Sequence, residues 1–103
     1  MSYLKSLNKI KEFSPKAKVF KVLGNERRLA IIDFLAKNET SRIGWSVADI
    51  SFKLKIPYKS VSQHLQLLEN MDLVDRLRVG REVEYMTSDL GKKCLKLLKP
   101  FKF

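Results

Sequence analysis

The helix expected over residues 58–71 has two faces of different chemistry, and it constrains the chain more than any other stretch. Projected at about 100° per residue, Val61, Leu65 and Leu68 cluster on one side, while Lys59, Gln63, Gln66 and Asn70 gather opposite. That polar face carries no acid before Glu69, whereas a merely solvated face holds more Glu and Lys. Its surroundings are equally specific. Ser46, followed by Asp49, marks a helix start, and Val47, Ile50 and Leu54 give the short helix its apolar side. Lys55-Ile56-Pro57 then breaks that helix and turns the chain. Beyond Met71, the runs Leu73–Arg78 and Glu82–Met86 flank Val79-Gly80-Arg81, two β-prone segments around a glycine-centred turn.

The rest of the chain reads as helix. Residues 3–13 set Tyr3, Leu4, Leu7, Ile10 and Phe13 at steps of three and four. Ser14 is expected to cap a second helix with Pro15 in its first turn, and Gly24 to end it in a left-handed conformation. Asn25 caps a third helix through about Lys37, with Leu29, Ile32 and Leu35 inward. Asn38 to Trp45 is polar and loop-like. Thr87 or Ser88 caps a last helix with Leu90, Cys94, Leu97, Leu98 and Phe101 on its apolar side. The fold class is mostly α with a small β-hairpin: two helices joined by a tight turn and followed by a hairpin make a winged helix-turn-helix. One domain over residues 1–103 is expected, with the helix-turn-helix at 46–71, the wing at 73–86 and terminal helices at 1–13 and 88–103.

Charge narrows the partner. The chain of 103 residues has 21 Lys and Arg against 11 Asp and Glu, a net charge of +10, which suggests a polyanion. Residues 1–21 carry six lysines against Glu12, a net of +5; residues 88–103 carry five against Asp89, a net of +4. Lysines on terminal helices also serve simple solvation, so the polar stripe and the hairpin carry the functional reading. Tyr58, Lys59, Ser60, Ser62, Gln63 and Gln66 are the expected recognition-helix contacts to double-stranded DNA, since Gln presents donor and acceptor together to adenine. Ser60 and Ser62 are small enough to allow close backbone approach. Arg76, Arg78 and Arg81 on the hairpin, with Lys53 and Lys55, are expected at phosphates or the minor groove. Glu82 and Glu84 temper this, because cross-strand pairing with the arginines would neutralise the wing.

Several segments resemble one family. Leu23-Gly24-Asn25-Glu26-Arg27-Arg28-Leu29-Ala30-Ile31-Ile32 is similar to the opening segment of ArsR-type winged-helix repressors. Val61-Ser62-Gln63-His64-Leu65-Gln66-Leu67-Leu68 resembles their recognition helix, and Leu73-Val74 through Gly80-Arg81 to Tyr85 their wing. The resemblance covers residues 18–88 and implies a homodimeric transcriptional regulator, usually a repressor, on an imperfect DNA palindrome in the cytoplasm. The family dimerises through its first and last helices, which points to Tyr3, Leu4, Leu7, Ile10, Cys94, Leu97, Leu98 and Phe101 as the interface. Many members carry a Cys-Val-Cys-Asp metal-sensing run; Ser46-Val47-Ala48-Asp49 stands there instead, and Asp72 replaces a typical glycine. No metal and no cofactor are therefore expected, and the effector is open.

Other residues read more plainly. His64 is expected as a half-buried packing residue beside Val61 and Leu65, and Trp45 as a cap on the core. Cys94, the single cysteine, cannot make an internal disulfide, which fits a reducing cytoplasm. No Gly-rich phosphate loop or nucleophile–base pair supports an enzyme, and no run is long enough for membrane insertion. The alternative is a winged-helix module that uses its basic terminal helices for protein or anionic membrane-surface contact.

Overall fold

The computed structural model describes residues 2–38 and 44–101, with side chains from Lys5 onward. The expectations for the side chains of Tyr3 and Leu4, and most of the Asn38–Trp45 loop, lie outside the described residues. Among the described residues, six helices and one hairpin follow in the order α1 (Ser2–Lys11), α2 (Ser14–Leu23), α3 (Glu26–Asn38), α4 (Val47–Leu54), α5 (Tyr58–Asn70), β1 (Val74–Val79), β2 (Glu82–Thr87) and α6 (Asp89–Lys96). This is the winged helix-turn-helix expected from sequence.

Three helix starts obey short-range chemistry. Asn25 Oδ1 accepts from the Arg27 and Arg28 amides at 3.0 and 3.1 Å. Ser46 Oγ accepts from the Asp49 amide at 3.1 Å, and Ser88 Oγ from the Gly91 amide at 3.0 Å. Ser14 does not cap α2. Phe13 occupies the cap position with helical angles (φ −86°, ψ −4°), and its carbonyl accepts from Ala17 at 2.8 Å. With α1 ending so close before it, Ser14 is already helical and cannot take the extended conformation a cap needs. Gly24 also departs from expectation, with φ −75° rather than left-handed. A Cβ there would stand 3.2 Å from the Phe20 carbonyl oxygen, so closeness rather than handedness suits glycine.

The core forms where α3, α4, α5 and the base of the hairpin meet. Ile31, Ile32 and Leu35 of α3, Ile50 of α4, Val61, Leu65 and Leu68 of α5, and Leu73 are fully buried. Leu29 is only half-buried, and Ile31 takes the inward place expected for it. The α4–α5 turn is held by Lys55 in the left-handed region (φ 56°), by buried Ile56, and by Ser51 Oγ donating to the Ile56 carbonyl at 2.6 Å.

The hairpin pairs Val74 with Thr87 through Val79 with Glu82, leaving Gly80-Arg81 as a two-residue turn. Gly80 alone there has positive φ (64°), as a turn with glycine first requires. Trp45 pairs with Tyr85 on the far side of β2, through amide–carbonyl bonds of 3.0 and 2.8 Å. Its indole donates to the Asn38 carbonyl and packs edge-on against Phe34 at 5.0 Å, the expected cap on the core.

Helix α6 seats on the start of the wing at Gly91, where a Cβ would press on the Leu73 carbonyl and lie 2.8 Å from Thr87 Cγ2. The last helix is shorter than expected. It ends at Lys96, and Leu97, Leu98 and Phe101 continue in tight turns. Pro100 has no amide to donate and restricts the residue before it, so the helix stops short of it. The radius of gyration is 16.0 Å, above the ~13 Å of a compact domain of this length, and among the described residues α1 packs extensively on no other element.

Candidate nucleic-acid interface

Helix α5 carries its expected halves on opposite sides. Val61, Leu65 and Leu68 are fully buried, while Lys59, Ser62, Gln63, Gln66 and Asn70 are exposed. Tyr58 at its start is also exposed. Ser60 differs from its neighbours: it is half-buried, and its Oγ accepts from Arg27 Nη1 at 3.2 Å, so it is turned towards α3. Lys53 and Lys55, both exposed, flank the α4–α5 turn beside Phe52, which is 80 % exposed.

The wing separates its charges. Arg76 pairs with Tyr85 and Arg78 with Val83, whereas Glu84 pairs with Leu77 and Glu82 with Val79. Because side chains alternate between faces, Arg76 and Arg78 share the face that carries buried Val74, Tyr85 and Thr87 nearer the body. Asp75, Glu82 and Glu84 fall on the other. Register thus keeps Glu82 and Glu84 off the face of Arg76 and Arg78. Glu84 Oε1 instead accepts from the Gly44 amide at 3.3 Å. Arg81 stands in the turn itself, and Arg78 Nε reaches the Gly80 carbonyl at 3.4 Å.

These elements stand in the arrangement of a known family. The family model for bacterial regulatory proteins of the arsR family matches residues 25–76, which span α3, the helix-turn-helix and the start of the wing. The chain belongs to the ArsR family. It is similar to the transcriptional activator HlyU of Vibrio cholerae, 34 % identical over 100 residues, covering 92 % of this chain and 88 % of that protein. The structure of reduced HlyU superposes with a TM-score of 0.72 at 30 % identity, over 90 % of this chain and 94 % of that one. The homodimeric winged helix-turn-helix DNA-binding domain of Mb0332 from Mycobacterium bovis gives 0.72 at 29 %, over 87 % and 79 %. The transcriptional repressor PagR of Bacillus anthracis gives 0.72 at 27 %, over 87 % and 99 %.

As a member of the ArsR family, the chain is a transcriptional regulator with a winged helix-turn-helix DNA-binding domain. Where thiolate-bearing members have their sensing run, Ser46 caps α4 and Ala48 is exposed. Among the described residues no helix is long and apolar enough to cross a membrane.

Of the residues expected at a dimer interface, Cys94, Leu97, Leu98 and Phe101 lie together at the C-terminal end. Cys94 is half-buried, and burial pushes its thiol above the ordinary pKa. Leu97, Leu98 and Phe101 are exposed at 58, 39 and 64 %. With Val19, Phe20 and Leu23 of α2 they line an apolar groove of about 470 Å³. Leu7 and Ile10 lie exposed on α1.

Sequence reasoning missed Arg27 and Arg28 as structural actors. Arg28 Nε donates to the Val22 carbonyl, and its Nη1 lies 3.3 Å from His64 Nδ1. His64 is half-buried as expected but is bonded rather than only packed. One signal was available: two cations in the first turn of a helix oppose its dipole, so another interaction must place them there.

Proposed function

We propose that the protein is a homodimeric repressor whose two α5 helices read successive major grooves of an imperfect palindrome. The observation that carries this is the face of α5, where Gln63 and Gln66 stand exposed opposite three fully buried residues. Lys59, Ser62 and Tyr58 extend that face. Lys53 and Lys55 at the turn and Arg76, Arg78 and Arg81 on the wing supply phosphate or minor-groove contacts. The basic face of the wing favours DNA over the alternative of a protein or membrane-surface module.

Dimerisation covers the exposed Leu7 and Ile10 of α1 and the groove formed by α2 and the C-terminal turns, more apolar surface than a small monomer leaves bare. The homodimeric DNA-binding domain of Mb0332 has the same fold. Repression is the more economical direction: HlyU is an activator and PagR a repressor, and repression by occupancy needs no surface beyond DNA binding and dimerisation. Selection of bound duplexes from a random pool tests the reading. It should return an inverted repeat with half-site centres about one helical turn apart, and a promoter carrying that repeat should be silenced by the protein. Recovery of no preferred sequence would contradict it.

A further inference from the structure

Arg28 joins three helices. Its Nε donates to the Val22 carbonyl in the last turn of α2, and its Nη1 stands 3.3 Å from His64 Nδ1 on α5. Arginine only donates, so Nδ1 is the acceptor and the imidazole is neutral with its proton on Nε2. Beside it, Arg27 Nη1 donates to Ser60 Oγ at 3.2 Å. Ser60 and His64 are four residues apart and share one side of the helix. That side lies between the buried stripe of Val61, Leu65 and Leu68 and the exposed stripe of Lys59, Gln63 and Gln66. The Val22 carbonyl, one of the acceptors a helix end leaves without an intrahelical partner, anchors the other end of the fork.

We propose that Arg28 is a positioning residue for base reading: by holding His64 against the last turn of α2, it fixes the rotation of α5 about its axis and so aims Gln63 and Gln66. The proposal rests on the reading of α5 as the base-reading helix. The required accuracy is easily lost. Turning a helix by about 20° sweeps a side-chain tip about 5 Å from the axis through about 2 Å, enough to break a contact that needs a heavy-atom distance of about 3 Å. Flexible lysines at phosphates absorb such a shift. Loss of the clamp therefore lowers discrimination between sequences far more than binding itself. The same turn of α2 lines the apolar groove, so the groove wall and the reading helix share one guanidinium.

Three variants of the full chain test it. Arg28→Lys keeps the charge but has no planar fork to span both partners; His64→Leu removes the acceptor; His64→Asn returns one near the Nδ1 position. Affinities are measured for the duplex selected by the unaltered protein and for the same duplex with its half-sites altered, alongside thermal melting. Arg28→Lys and His64→Leu should lower the affinity ratio by about tenfold or more, with little change in binding to the altered duplex. His64→Asn should keep most of the discrimination. A purely structural role would lower melting temperature and both affinities together in all three variants, and that result overturns the proposal. Unchanged discrimination in Arg28→Lys and His64→Leu also overturns it. Gln63→Ala separates the two levels: if it relaxes specificity while those variants do not, the clamp alone fails; if it too has no effect, the base-reading assignment fails.

Discussion

Asp72 and Lys55 hold positive φ of 58° and 56°, a conformation that costs an L side chain about 1–2 kcal/mol and glycine little. Asp72 sits between α5 and the wing, where the resemblance to the family implies a glycine. Asp72→Gly should therefore raise stability by up to about 1 kcal/mol, read as a higher urea midpoint; a lower midpoint would show that the Asp side chain contributes more than its backbone costs. His64 shows the opposite economy, a titratable group held neutral. Burial first, then Arg28 and Arg27, set its pKa below the ordinary 6.5. Its folded pKa being the lower, the unfolded chain binds more protons in that window. Stability is then greatest above pH 6.5 and declines as pH falls from there to the folded value. Melting temperatures of the unaltered protein should drop through this window relative to His64→Asn, which has no such proton; parallel curves would contradict the assignment.

At the scale of elements, α6 depends on close approach. Gly91→Ala would set a methyl group against the Leu73 carbonyl, Thr87 Cγ2 and Ile32 Cδ1. A backbone oxygen cannot yield as a side chain does, so the substitution should cost about 1–3 kcal/mol in urea denaturation. A neutral effect would mean that α6 is not seated on the wing as described. The caps at Asn25 and Ser46 were legible in the sequence because cap and amide lie within three residues, and the structure chooses Ser88 over Thr87 for the last. The stripe on α5 was legible because its period is local. Ser14 was misread because its conformation is set by Phe13 and the helix before it. The arginine contacts were hidden for a related reason: Arg27 and Arg28 reach partners 33 and 36 residues away, and no local pattern announces such pairs. The two faces of the wing became visible only once register paired Arg76 with Tyr85 and Glu84 with Leu77.

For the whole molecule, the proposed two-fold assembly would account together for an N-terminal helix without extensive packing among the described residues, an apolar groove and the proposed base-reading face. Leu7→Glu should give monomers in sedimentation at micromolar concentration, with the melting transition retained and binding to the inverted repeat lost. A monomeric unaltered protein at that concentration would remove the dimer from the account. The family and the winged fold were legible from residues 18–88, whereas the apolar groove joins Val19 and Phe20 to Cys94 and Leu97, which meet only in three dimensions. The central claim is that the exposed stripe of α5 reads bases, and its most direct test is the affinity of Gln63→Ala and Gln66→Ala for every single-base-pair variant of the selected duplex. Each substitution should erase preference at particular base pairs, placed symmetrically in the two half-sites, at about 1–3 kcal/mol per lost bidentate contact. An unchanged preference at every position in both variants would show that another surface reads the DNA.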